Sequence, residues 1–196
     1  MRTRIYNKCT DAEITDYLKN GGDTLFMSVG VTELHGQLPV DCESILAEAA
    51  AVMMAKKADG LAVINLPFFH AGATAIGQST VNISIKAGYD YLKTLVYAFY
   101  KLGFKRIFFL SMHGPAYLTI NSVCVDFFHE TQNPICHLEL GHVMEIAKEN
   151  GWDCGEDRLE TFTDLIYGAY KAMNQLEFIP ILPDFDREAF LAKCRE

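Results

Sequence analysis

The chain has no Cys-x-x-Cys pair, no excess of basic residues, and no window approaching the roughly 20 consecutive apolar residues of a membrane span. Each absence removes a class of function. The six cysteines, at positions 9, 42, 124, 136, 154 and 194, are scattered along a chain long enough to need no disulfide staples, which points to a reducing compartment. The segment Met1-Arg-Thr-Arg-Ile-Tyr6 lacks the apolar run of a signal peptide, so a cytoplasmic location is expected. With 17 Lys and Arg against 25 Asp and Glu, the formal charge is −8. An acidic surface attracts neither a nucleic-acid backbone nor an anionic membrane, and a small-molecule partner remains. There is no internal repeat and no low-complexity segment.

What is present fits one globular domain over residues 1–196, with 50% hydrophobic and 21% charged residues. Asp11 to Lys19 reads as a helix, capped by Thr10 or Asp11 and stopped at Asn20-Gly21-Gly22. Thr24 to Val29 is an apolar run bounded by glycine, the pattern of a strand buried on both faces. A polar loop over 30–40 leads to a helix from about Cys42 to Ala58, where Ile45, Leu46, Ala49, Val52 and Met53 repeat at helical spacing. Leu61 to Leu66 is a second strand, stopped by Pro67, and a loop runs on to about Ser84. Lys86 to Leu102 is a helix with Leu92, Leu95, Val96 and Phe99 on one face. A third strand at Lys105 to Leu110, a helix at about Leu118 to Glu130 and a fourth strand at Ile135 to Leu140 follow, then helices near 157–174 and 186–193. The alternation predicts an α/β fold of three layers, α/β/α, around a mostly parallel sheet. Ligands then belong at the carboxyl ends of the strands.

Four of the six histidines, His35, His70, His113 and His142, each follow one of the predicted strands, so a parallel sheet brings them to one edge. That placement favours metal or acid–base chemistry. Glu33 and His35 are one residue apart, so in an extended segment their side chains share a side; taken alone the pair equally fits a solvated loop. Asp41 and Glu43 follow at the start of a helix. Carboxylates with imidazole suit zinc or manganese, although acids at a helix N-terminus are also explained by capping and the dipole. One of the two acids can cap while the other ligates. His129 and His137 fall within a helix and a strand and read as structural. Cys42 sits among acids that would raise its pKa, so it reads as an inert thiol rather than a nucleophile, as does Cys154.

The segment Gly30-Val-Thr-Glu-Leu-His-Gly-Gln-Leu-Pro-Val-Asp-Cys-Glu43 resembles the creatininase (creatinine amidohydrolase) family motif Gly-Ser-x-Glu-x-His-Gly-Pro-His-Leu-Pro-x-x-Thr-Asp, with one residue deleted after Gly36. Leu38-Pro39 then falls on the family's Leu-Pro, and Glu43 on its metal-bridging aspartate. Asn82-Ile-Ser84 is similar to the end of a loop reading Gly-Thr-Ile-Ser, His113-Gly114 to the core of Asn-Gly-His-Gly-Gly-Asn, and Leu159-Glu-Thr161 to a late Glu-Thr-Ser segment. The resemblance implies a creatininase-like α/β fold and an oligomer, possibly a hexamer. It also implies a centre of two divalent ions, zinc first and manganese or iron next, that hydrolyses cyclic amides, formamides or related C–N bonds. By position, Glu33, His35, Glu43, His113 and Glu160 become the metal ligands. His70 and Ser84, on the loop after the second strand, are expected to contact substrate.

The chain departs from the pattern in three places. Glu43 replaces an aspartate, Ser111-Met112 and Pro115-Ala116 replace the residues around the family's histidine, and Cys154-Gly-Glu-Asp157 stands where the family often has His-Ala-Gly. The shortened loop and the longer Glu43 side chain can offset one another. The missing histidine leaves His142, Glu156, Asp157 and His70 as candidate proton carriers, with His142 favoured by its place after the fourth strand. Two other readings stay open: a metal-dependent hydrolase or isomerase of a cyclic sugar-like ketone or lactone, and a metal- or ligand-binding relative without catalysis.

Overall fold

In the computed structural model, which describes residues 1–72, 75–139, 141–142, 145, 149 and 158–180, four parallel strands form one sheet in the order β2-β1-β3-β4. The chain runs α1 (Asp11–Lys19), β1 (Thr24–Ser28), α2 (Cys42–Lys57), β2 (Leu61–Val63), α3 (Ile85–Leu102), β3 (Arg106–Ser111), α4 (Tyr117–Thr131), β4 (Cys136–Glu139) and α5 (Arg158–Ala172). Every expected strand and helix within the described residues is present; the helix expected near 186–193 lies outside them. Among the described residues, no helix is long and apolar enough to cross a membrane.

The two faces of the sheet bury alternate residues, as the period of a strand requires. Leu25, Met27, Leu61, Val63, Ile107 and Phe109 pack with Leu92, Val96 and Phe99 of α3 and Ile120, Val123 and Phe127 of α4. Phe26, Ala62 and Leu110 pack on Ala51, Val52 and Ala55 of α2. A further cluster joins Cys42, Ile45, Leu46 and Ala49 of α2 to Ile166, Ala169 and Tyr170 of α5. Helix α2 is therefore covered by the sheet on one side and by α5 on another, which is why Glu43, Ser44 and Glu48 are buried along with its apolar residues. Met53, expected on the buried face, is instead 61% exposed, on the strip that neither layer covers.

Strand β2 is shorter than its apolar run. It pairs only with β1, through Leu61 to Val63, and Asn65 then turns into the left-handed region at φ 69. The Asn65 N–H donates to Glu48 Oε1 at 2.8 Å, so a buried acid from α2 terminates the strand. The order of strands sets the functional geometry. From β1 the chain crosses to β2 on one side, and β3 then lies on the other side of β1. The carboxyl ends of β1 and β3 therefore flank a topological switch point, where the loops diverge and leave a crevice.

Candidate metal centre

Glu33 follows β1, His113 follows β3, and Glu43 lies in the first turn of α2, so three elements converge on the switch point. The loop between β1 and α2 is folded back tightly. Leu38 N–H donates to His35 O at 3.0 Å and Glu33 N–H to Val40 O at 3.0 Å, with Gly36 at φ 59 making the turn. Gly30 has no room for a side chain, since a Cβ there would stand 2.1 Å from Ser44 Oγ. That same Oγ donates to Val31 O at 2.7 Å, locking the loop onto α2. Helix α2 thus begins beside Glu33.

The loop after β2 is tied to both neighbours. Gly30 N–H donates to Leu66 O at 2.9 Å and Val81 N–H to Thr32 O at 2.9 Å. Thr32 Oγ1 reaches Pro67 O at 3.0 Å, and Leu34 N–H donates to Thr80 Oγ1 at 3.1 Å. On the other side Gly72 lies against the Pro115 ring, which follows His113.

Within this frame His113 Nδ1 lies 2.6 Å from Glu43 Oε2 and 3.3 Å from Glu33 Oε1. His35 Nε2 lies 3.5 Å from Glu43 Oε1 and 3.6 Å from Glu33 Oε1. Ligand atoms of Glu33, His35 and Glu43 fall within 4.8 Å of one another, a spacing that can surround one cation. His113 borders this group through both acids. Burial works to raise the Glu43 carboxyl, but hydrogen bonds from His113 and His35 prevail and hold its pKa below the ordinary value. Burial raises Glu33, the two imidazoles oppose the rise, and repulsion from Glu43 adds to it. Hydrogen bonds with Cys42 and then Glu43 push the His35 imidazole up to about 11. Burial also raises the Cys42 thiol, which is therefore neutral near pH 7, so the charge that favours imidazolium is that of Glu43.

Two carboxylates and two imidazoles form the mixed oxygen and nitrogen set that zinc and manganese accept. Glu33 Oε2 and His113 Nε2 are also buried without a hydrogen-bond partner among the described residues, which is costly unless a ligand completes them. The donor set fits a metal.

Of the four ligands expected from the first three loops and α2, Glu33, His35, Glu43 and His113, all come together. Asp41, the alternative to Glu43, accepts a hydrogen bond from Tyr170 of α5 instead. Glu160 lies in the first turn of α5, with its side chain outside what is described, and Glu156 and Asp157 lie outside the described residues. His142 is exposed, beside His137 at the end of β4. Ser84 is the exposed N-cap of α3, accepting from Ala87 N–H at 3.2 Å. His70 is half-buried on the loop that ties the site together, with Nδ1 buried. His137, read as structural, is held by Asn121 Oδ1 at 2.8 Å. Two contacts were not legible in the sequence: the Phe162 ring of α5 stacks on His35 at 6.2 Å between centroids, and Tyr170 reaches Asp41. Both join residues more than a hundred positions apart, and no local pattern marks them.

Comparison with solved structures returns the same architecture. Creatinine amidohydrolase (creatininase) superposes with a TM-score of 0.70 at 16% identity, over 95% of this chain and 82% of that one. A glutamate-to-glutamine variant of creatininase of the Zn–Zn type gives 0.70 at 13% identity over 95% and 82%. A putative creatinine amidohydrolase from Bacteroides fragilis gives 0.60 at 15% identity over 78% and 62%. At such identities these structures establish the fold alone. Comparison with curated proteins finds no match. The family model for creatininase, described as creatinine amidohydrolase, matches residues 7–165, a span that takes in the whole sheet, the three segments that carry Glu33 and His35, Glu43, and His113, and the start of α5, and the chain therefore belongs to the creatininase family.

Proposed function

We propose that the protein is a metal-dependent hydrolase that cleaves a cyclic amide, formamide or related C–N bond in a small molecule. The observation that carries this reading is the convergence of Glu33, His35, Glu43 and His113 at the switch point of the sheet. These residues, with Glu160, would hold two divalent ions, zinc before manganese or iron. Such ions, when bound, polarise a carbonyl and lower the pKa of water toward neutrality.

The chain's own groups supply the preorganisation. Glu43 is aimed by its bond to His113, the His35 ring is held between Cys42 and Phe162, and the loop hydrogen bonds fix Glu33 relative to α2. Ligands locked by surrounding contacts keep their geometry when substrate enters. The test is elemental analysis of the wild type beside Glu33→Ala, His35→Ala and His113→Ala, with turnover measured on cyclic amides, formamides and lactones. Loss of metal in all three variants, with amide turnover by the wild type, is the expected result. Unchanged metal content in all three would overturn the metal centre. Turnover confined to lactones or sugar-like ketones would move the reaction to that class.

A second reading has its own observation. Cys154-Gly-Glu-Asp157 replaces the histidine-bearing segment common in the family, and a relative that binds metal without catalysis would show that change. Tight metal binding with no turnover across the panel selects it.

A further inference from the structure

The two ring nitrogens of His35 have different neighbours. Nε2 faces the acids, 3.5 Å from Glu43 Oε1 and 3.6 Å from Glu33 Oε1. Nδ1 lies 3.3 Å from the backbone oxygen of Glu33. A carbonyl oxygen only accepts, so this contact places a proton on Nδ1, and in the neutral ring it leaves the Nε2 lone pair free to ligate. The ring is therefore oriented by a single peptide group, the one that joins Glu33 to Leu34 between the two candidate ligands. Whatever holds that peptide plane holds the ring.

The N–H edge of the same peptide is held from far along the chain. Leu34 N–H donates to Thr80 Oγ1 at 3.1 Å, across 46 positions of sequence. The Thr80 hydroxyl has one proton and donates it to Ile76 O. Toward Leu34 it therefore acts only as an acceptor, with both of its functions in use. One residue on, Val81 N–H donates to Thr32 O at 2.9 Å, while Glu33 N–H donates to Val40 O at 3.0 Å. Residues 32–34 are thus held by 80–81 and by Val40. The Leu34 side chain adds a packing contact to the same segment, since a Cβ at Gly77 would stand 3.0 Å from Leu34 Cδ2. Residues 76–79 are exposed, so the Thr80 hydroxyl links a surface segment to the backbone between Glu33 and His35.

We propose that Thr80 is a positioning residue of the metal centre, acting on His35 through the Glu33–Leu34 peptide. The inference rests on the metal-binding part of the reading above and not on the reaction. A peptide whose N–H and C=O are both engaged cannot rotate about its long axis without losing one bond, and each bond polarises the group so as to strengthen the other. Held in this way, the Glu33 oxygen keeps the Nδ1 proton in place and Nε2 aimed between the two carboxylates. A ligating histidine whose second nitrogen is fixed by a carbonyl keeps its orientation and its tautomer. The Leu34 N–H is near solvent, so loss of the Thr80 hydroxyl leaves it able to bond to water. The consequence of that loss falls on the aim of His35 and not on the stability of the fold.

The test uses the full chain, metal-free and zinc-loaded. Thr80→Val keeps the shape of the side chain and removes the hydroxyl, and Thr80→Ser keeps the hydroxyl. By competition with a chelator, Thr80→Val should bind zinc about 10-fold more weakly than wild type, and Thr80→Ser within about twofold of it. Two readouts do not depend on affinity. Nitrogen-15 NMR of the zinc-loaded wild type should find His35 protonated at Nδ1 and coordinated through Nε2. Hydrogen exchange of the metal-free protein should find the Leu34 amide protected in wild type and in Thr80→Ser, and unprotected in Thr80→Val, with the melting temperature little changed. Coordination of wild-type His35 through Nδ1, an unprotected Leu34 amide in wild type, equal zinc affinity in wild type and Thr80→Val, or equal losses in Thr80→Val and Thr80→Ser would each overturn the assignment. If wild type binds no zinc, the metal centre and the assignment fail together; if wild type binds zinc and Thr80→Val binds it as tightly, the centre stands and the assignment alone fails.

Discussion

Replacing Glu43 or Asp41 by alanine should cost similar stability and have opposite consequences for metal. Both acids stand at the start of α2, and each holds a buried partner. Glu43 Oε2 lies 2.6 Å from His113 Nδ1, with the two side chains 11% and 5% exposed. A hydrogen bond to a charged group is worth about 1.5–3 kcal/mol. Some of that is returned in Glu43→Ala, because Glu43 repels Glu33 and helps to raise its pKa. The loss should therefore fall near the low end, about 1.5–2 kcal/mol. Asp41→Ala strips the partner from the hydroxyl of Tyr170, a residue 1% exposed, and leaving a buried polar group unsatisfied costs about 1–3 kcal/mol. In a domain of this size each kcal/mol lowers Tm by about 2–4 °C, so Glu43→Ala should melt about 3–8 °C and Asp41→Ala about 2–12 °C below wild type. Zinc content separates them. Calorimetry beside elemental analysis should find Asp41→Ala loaded as wild type and Glu43→Ala depleted. Metal lost from the Asp41 variant and kept in the Glu43 variant would refute the placement of the bridging acid.

Three further perturbations follow from particular contacts. Gly30→Ala places a Cβ 2.1 Å from Ser44 Oγ and 2.8 Å from Ser44 Cα, which cannot move without the helix; overpacking of about 1–3 kcal/mol and reduced zinc content are expected by melting and elemental analysis. Burial holds the His137 imidazole down at about 4, below the ordinary 6.5, so its neutral form contributes stability above pH 6.5 that is lost as pH falls toward 4. Unfolding free energies from urea titration at pH 7 and pH 4.5 should differ by about 2–3 kcal/mol in wild type beyond the difference in His137→Gln, and equal differences would show that His137 is not the cause. Phe162→Ala removes the ring stacked on His35 and should weaken zinc binding about 10-fold by competition titration with a chelator, with little change in Tm.

The sheet and its helices were legible because apolar runs and glycine stops are local signals. Thr24 to Ser28, buried throughout, reads as a strand from composition alone. The clustering of the candidate metal set was half legible. Glu33 and His35 share a motif, and the parallel order brings His113 to the same edge; that Glu43 joins them while Asp41 meets Tyr170, far along the chain in α5, no local pattern marks. Glu48 was silent for the same reason. An acid in mid-helix ordinarily faces solvent, and this one is 8% exposed because its side chain turns to the end of β2, where it accepts from Asn65 N–H. Its Oε1 terminates β2, so the shortness of that strand and the burial of the acid are one fact, decided by packing and not by either segment's own pattern.

The short loop after β1 makes the glutamate at 43 intelligible. Its turn over His35 to Leu38 and the bond from Glu33 to Val40 draw the chain back at once, and Ser44 fastens α2 to Val31 before the helix has completed a turn. The helix start is thereby fixed by backbone contacts, independently of any ligand. A carboxylate in that first turn must then cover whatever distance remains to His113 on the far strand, and side-chain length is the variable left. Glu43 covers it, arriving at 2.6 Å with its second oxygen 3.5 Å from His35, so one side chain addresses both imidazoles. The length of the Glu43 side chain is therefore matched to this span, and the acid's position in the helix N-terminus favours its ionised form as well.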